Sequence, residues 1–197
     1  MQAEAMPVTS AEDICNLALT DLGHGQISAI GENTKAGRLT ALWYPVVRDA
    51  TLRSHPWNCA VKRAELARED ATPSHEYTYQ YALPDDCLKV IRTDLEAESY
   101  VDVDYRIEGR KLLTNEGTVF IEYIARIEDV SLYDDLLVLV IAKSLAVAMC
   151  MSLTDNASLR TALQSELQNL APQARSADAQ EGIPRDIQAN TWLYSRL

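Results

Sequence analysis

Two adjacent carboxylate pairs, Asp85-Asp86 and Asp134-Asp135, are the residues of this sequence best suited by type to acid–base chemistry. A glycosidase holds two such groups about 5–10 Å apart across a sugar, one protonated and one ionised. Neither pair carries a signal for that arrangement. Asp85 and Asp86 follow Pro84 in a predicted turn, where Asp is favoured because its side chain bonds the local backbone. Asp134 and Asp135 fall in the first turn of a predicted helix, where negative charge suits the positive end of the macrodipole. The three histidines, His24, His55 and His75, do not stand at H-E-x-x-H spacing. Cys15, Cys59, Cys87 and Cys150 form no C-x-x-C pair, so structural zinc is not indicated and reduced, mostly buried thiols are expected. The seven glycines make neither G-x-x-x-x-G-K nor G-x-G-x-x-G, which leaves no phosphate-cradling loop. Asp94, Glu96, Glu98, Asp102 and Asp104 lack the EF-hand pattern. They read as a solvated loop running into an edge strand, where charge discourages stray strand pairing. No catalytic residue, cofactor or metal ligand is assigned.

The elements around these residues fall into stretches of different period. In residues 1–56, Ser10-x-x-Asp13 resembles a capping box, and Ile14, Leu17, Ala18 and Leu22 share one helical face that ends at Gly23. After a loop, Thr34 caps a second predicted helix with Leu39, Leu42, Val46 and Val47 as its apolar stripe and Pro45 as a kink. Across residues 57–126 the period moves toward two. Tyr77, Tyr79 and Tyr81 alternate with polar residues, and 89–93, 100–107, 111–114 and 118–124 read as further strands. Glu108-Gly109 and Asn115-Glu116-Gly117 supply turns, so the expected pairing is antiparallel, in hairpins. Over residues 127–180 the helical period returns. Ser131-x-x-Asp134 leads into an apolar run at 136–151, predicted to be buried on most sides. Asp155 or Asn156 caps a last helix with Leu159, Leu163, Leu167, Leu170 and Ala174 in line, bent or ended at Pro172. Residues 181–197 read as an extended tail. The fold class that follows is α+β: a helical bundle with an inserted antiparallel β-module.

A chain of 197 residues with 47% hydrophobic residues is long and apolar enough for a substantial core, which excludes wholesale disorder. Its 29 acidic against 18 basic residues give a net charge of −11. Gripping DNA or anionic lipid takes Lys and Arg, so both roles are disfavoured. The opening MQAEAMPVTS has neither the basic nor the apolar region of a signal peptide. The apolar run at 136–151 is cut by Lys143 and Ser144 and falls short of the ~20 residues that cross a bilayer. A soluble protein made in a cytosol is expected. Trp192, Leu193, Tyr194 and Leu197 lie beyond the last predicted element, either as interface anchors or folded back on the bundle.

Several short motifs, in order, resemble the tail tubular protein A family, the head-to-tail adaptors of short-tailed bacteriophages. They are CNLALTDLG at 15–23, Tyr44-Pro45 with Arg48-Asp49 and Leu52-Arg53, and His55-Pro56-Trp57-Asn58. YQYALPDDCLKV at 79–90, EGRKLLTN at 108–115, Tyr123-Ile124 and the helix before Leu153-Thr154 complete the set. The chain departs from the pattern at Cys59, where the family carries an aromatic, typically Phe, and after Gly182, where nothing matches.

The resemblance implies a virion protein of the tail or neck, assembled in the host cytoplasm: a homo-oligomeric ring, usually a dodecamer, between the portal protein and the tail nozzle protein. DNA would pass through its channel without specific binding, and no membrane, cofactor or catalytic residue is implied. Trp192, Leu193, Tyr194 and Leu197 are then candidate contacts to the portal or a neighbouring subunit. Two other readings compete. A tail-associated peptidoglycan-degrading enzyme would depend on a carboxylate such as Asp86 or Glu108, and a small soluble interaction module would form no ring. Net charge is −2 over residues 1–56, −5 over 57–126 and −4 over 127–197, so the acidity is heaviest in the β-module.

Overall fold

The computed structural model describes residues 10–94 and 104–181. Helix α1 (Ala11–Asp21) starts at a complete capping box: Ser10 Oγ accepts from the Asp13 backbone N–H, and the Asp13 carboxylate accepts from that of Ser10. It ends on Gly23, whose φ of +65° is the left-handed turn glycine takes freely. Helix α2 (Lys35–Ser54) is capped by Thr34. It runs on past Pro45, which is solvent-exposed, so the carbonyl left without a donor one turn earlier faces water.

Six short strands follow among the described residues: β1 (Val61–Glu65), β2 (Tyr79–Ala82), β3 (Cys87–Asp94), β4 (Tyr105–Glu108), β5 (Lys111–Thr114) and β6 (Phe120–Ala125). They form two three-stranded antiparallel sheets, ordered β1-β6-β3 and β2-β5-β4. The chain leaving β1 crosses from one to the other: Leu66 N–H donates to Val119, and Glu69 N–H to Gln80. The α+β class is thus present as expected, while several details differ. β1, with its mostly exposed pattern, had no alternating signature to announce it, and Tyr77 lies outside β2. Among the described residues only β4 and β5 form a hairpin between sequence neighbours. Its turn residues are Gly109 and Arg110, both at positive φ. The Arg110 side chain donates to the carbonyls of Pro84 and Cys87, which ties the turn to the loop before β3.

Helix α3 (Asp135–Thr154) begins at Asp134, whose carboxylate accepts from the Leu136 N–H, while Ser131 sits in the preceding 3₁₀ turn. At 20 residues it is long and apolar enough to cross a membrane. It packs instead against α1, α2 and α4 (Ala157–Gln180), with Leu137, Ile141, Leu145 and Met149 fully buried. Lys143 bridges Asp21 of α1 and Glu166 of α4, at 2.9 Å each. Asn156 caps α4, and Asp155, at φ +49°, closes α3. Pro172 does not end α4. Like Pro45 it is exposed, as is Gln168, whose carbonyl loses its donor.

The largest correction concerns α2. Two of the four residues expected in its core stripe are turned outward, Leu42 at 61% and Val46 at 57% exposed, while Leu39 and Val47 are half-buried against the core. The buried side carries Ala36, Gly37, Thr40, Tyr44, Arg48, Thr51 and Leu52. The missing side chain of Gly37 leaves room for the Glu32 backbone of the preceding loop, and the Thr40 hydroxyl bonds back to the Gly37 carbonyl. The Tyr44 hydroxyl is buried with no hydrogen-bond partner, and burial pushes its pKa to about 12 despite the nearby Arg48 charge. Tyr44→Phe keeps the ring and removes this orphan, so urea unfolding should show stability unchanged or raised by up to ~1 kcal/mol.

Candidate functional site

The motif residues gather where the helices meet the strands. Pro56 disfavours helical geometry in the residue before it, and His55 is accordingly extended at φ −149°, which ends α2. The chain then turns inward. Trp57 is 1% exposed, its indole N–H donates to the Thr51 carbonyl at 3.1 Å, and its ring meets His55 edge-on. A 3₁₀ turn over Asn58–Ala60 leads into β1.

Asp178, near the end of α4, receives this corner. One carboxylate oxygen lies 3.1 Å from His55 Nε2, and the other accepts the Asn58 backbone N–H at 2.9 Å. The Asn58 side-chain amide donates to the Asp178 carbonyl at 2.6 Å. Asp178 is 8% exposed, a buried carboxylate whose bonds all go to the corner between α2 and the strands. Cys59 is beside it. Burial, and then the charge of Asp178, push that thiol to about 11, so it is protonated and unreactive at neutral pH.

A second set ties the other end of the strands to α2. Asp49 accepts from Arg48 at 2.9 Å and from Arg126, just past β6, at 2.8 Å. Its hydrogen bond and charge hold Arg126 even more firmly protonated than usual. Arg48 also lies over the Tyr44 ring, and the Arg53 guanidinium donates to the Leu88 carbonyl of β3. The Arg126 N–H donates to the Asp86 carbonyl. The Asp86 carboxylate itself bonds Lys62 at 2.8 Å and the Tyr123 hydroxyl at 3.1 Å. Burial opposes its ionisation, but these two partners outweigh that and hold its pKa below the ordinary value.

The paired carboxylates of the sequence therefore do different work from an acid–base couple. Asp86 fastens β1 to β6 and Asp85 is an exposed turn residue, while Asp134 caps α3 and Asp135 is its first residue. Glu108 pairs with Arg106 at 2.9 Å on the lip of a cleft of about 740 Å³. The wall of that cleft also holds Lys111, which pairs with Glu69. His24 and His75 are exposed and far in sequence from His55. Among the described residues no group of three or more His, Cys, Asp or Glu side chains is placed to hold a metal ion. All four thiols are free, and Cys15, Cys87 and Cys150 are buried. Trp192, Leu193, Tyr194 and Leu197 lie outside the described residues, as does most of the acidic segment 94–104. Its last member, Asp104, accepts from the Tyr77 hydroxyl.

On the open face of the first sheet, Glu122 joins Arg63 at 3.0 Å and Arg92 at 2.7 Å across three strands. Burial raises its pKa, yet bonds from Arg92 and Arg63 leave it below the ordinary value of 4.5. The unfolded chain then binds this proton at higher pH than the folded one. The stabilisation is complete above the ordinary Glu range and is lost as pH falls through the folded pKa. Glu122→Gln should flatten the decline in urea midpoint between about pH 5 and pH 3 that the unmodified protein shows.

Sequence reasoning missed Asp178 and Arg126. One signal for Asp178 was present, since extending the stripe Leu163, Leu167, Leu170, Ala174 by four residues lands an acid on the packed side of α4. By fold the chain is an α+β protein whose helices and strands are joined by a polar, ion-paired seam. No protein-family model matches the chain, and no curated protein matches it.

Proposed function

We propose that this chain is a structural virion protein, the head-to-tail adaptor of a short-tailed bacteriophage, forming a ring between portal and tail nozzle. The observation that carries this reading is where the motif residues fall. His55, Trp57 and Asn58, Arg48 and Asp49, and Arg53 are all engaged where the β-module joins the helices, while Asp86 ties β1 to β6 within the module. Residues used that way serve a rigid coupling between two parts of a subunit, as a protein that transmits geometry from one ring to the next requires. The carboxylates that a peptidoglycan hydrolase would use, Asp86 and Glu108, are held in ion pairs, which favours the adaptor over the enzyme.

A ring built head to tail uses two different faces of each subunit. The net charge of −11 suits a channel that lets DNA slide, since cationic walls would bind phosphate and slow ejection. The wall is therefore net-negative, and an assembled ring lined continuously by Lys and Arg would refute that. The decisive experiment mixes the purified chain with purified portal protein and measures mass. A portal-bound ring is the expected result, and a chain that stays monomeric under broad conditions overturns the adaptor reading.

A further inference from the structure

One wall of the cleft of about 740 Å³ is the face of the second sheet turned away from the core. Tyr81 and Leu112, opposite each other in the register, are buried on the other side. Their sequence neighbours Gln80 and Leu113 form a cross-strand row with Arg106 on the cleft side, and Lys111 with Glu108 forms the next row. Residues 72–77 border the cleft from across. That loop is tied down. Glu76 turns at φ +65° and approaches Arg106 at 3.7 Å, the Tyr77 hydroxyl donates to Asp104, and the Thr78 N–H and hydroxyl both donate to the Asn115 side-chain oxygen. The hollow is thus preformed, and its volume lies in the range of small-molecule sites.

The polar groups of the cleft select the ligand. Arg106 pairs with Glu108 at 2.9 Å as well as with Glu76, and Lys111 pairs with Glu69 at 2.7 Å. The same Glu69 oxygen accepts from the Gln80 amide at 2.8 Å, which fixes in the cleft wall a side chain only 8% exposed. The carboxamide oxygen of Gln80 accepts no bond from the described residues. Each cation already has its anion, so an ionic ligand would have to break an existing pair. An apolar ligand would strip water from these ion pairs, and the lining offers it little beyond Leu113 and Pro73. A neutral ligand dense in hydroxyls meets neither penalty. Its hydroxyls donate to the carboxylates and the Gln80 oxygen and accept from Arg106 and Lys111, each replacing a water without disturbing a pair. Tyr77, half-buried in the lining, supplies aromatic surface for the C–H face of a sugar ring.

We propose that this cleft binds a short neutral saccharide. It lies apart from the seam on which the adaptor reading rests, so either can fail alone. ¹H–¹⁵N correlation spectra of the full-length protein test it, titrated with maltotriose, cellotriose and triacetylchitotriose. At least one of these should shift the amides of residues 72–77 and 106–113 in a saturable way. Arg106→Ala, altered at an exposed side chain, should keep the unfolding midpoint and weaken that binding about ten-fold or more, through loss of charge-assisted hydrogen bonds. Arg63→Ala, on the first sheet, should leave it unchanged. No shift with any of the three sugars at tens of millimolar overturns the proposal, as do shifts confined to residues outside the cleft or undiminished binding in Arg106→Ala. Citrate or spermidine bound there as tightly as the best sugar would assign the cleft to a charged ligand and overturn it equally.

Discussion

Trp57→Ala should cost about 3–5 kcal/mol of unfolding free energy, the range for emptying a buried aromatic site. The indole is 1% exposed, and its N–H satisfies the Thr51 carbonyl in the last turn of α2. Removing it opens a void at the junction of helix, 3₁₀ turn and strand, and frees the ring edge that orients His55. Trp57→Phe keeps most of the apolar volume and forfeits the hydrogen bond, so its loss should be about 1–2 kcal/mol. Urea titration followed by circular dichroism separates the two variants, provided the slope of the transition stays constant. A loss below about 1 kcal/mol in the alanine variant would show that the corner is not held by packing.

Asp178→Ala is expected to destabilise by about 2–4 kcal/mol, because it strips a buried polar cluster of its acceptor. The Asn58 N–H loses its bond and His55 Nε2 loses its partner, while the side-chain amide of Asn58 keeps the Asp178 backbone carbonyl. Asp178→Asn retains an acceptor for the Asn58 N–H and should cost markedly less. Cys59 offers a local reading. Its thiol is half-buried beside Asp178 and held at about 11, and opening the corner should speed its alkylation well before global unfolding. Equal alkylation rates in Asp178→Ala and the unmodified protein would argue that α4 does not anchor the start of the β-module. Under the adaptor reading, this variant should still fold at low temperature yet load onto portal poorly, since its two parts are no longer rigidly coupled.

Much of the local structure was legible in the sequence. Ser10 and Thr34 cap their helices as their positions imply, β5 occupies Lys111–Thr114, and the apolar run near residue 140 becomes the central helix. Each depends on interactions among residues a few positions apart, which composition and period report directly. The turn at Gly109 was visible too, although its second residue, Arg110, also takes the positive φ that a two-residue hairpin turn requires, with its guanidinium bonded to carbonyls of the β2–β3 loop and β3.

Chain-distant pairings set the rest. Nothing local distinguishes the two faces of α2. The apolar residues Leu42 and Val46 face outward because the side bearing Ala36, Thr40, Tyr44 and Arg48 fits against its neighbours, with Thr40 and Arg48 bonded there and only the Tyr44 hydroxyl left without a partner. The pairing of β1 with β6 brings together segments more than 50 residues apart, and β3 joins β6 across the second sheet's strands β4 and β5, so the adjacency of turns in sequence suggested hairpins that do not form. Asp178 is the clearest case. By itself it is one more acid near the end of an amphipathic helix. It becomes the hub of the seam because folding places it against His55 and Asn58, 123 and 120 residues away. The sequence by itself determined the elements and the acidic balance. The tertiary structure decided which polar groups are buried together, since the desolvation that makes such a carboxylate matter exists only once distant segments have packed around it.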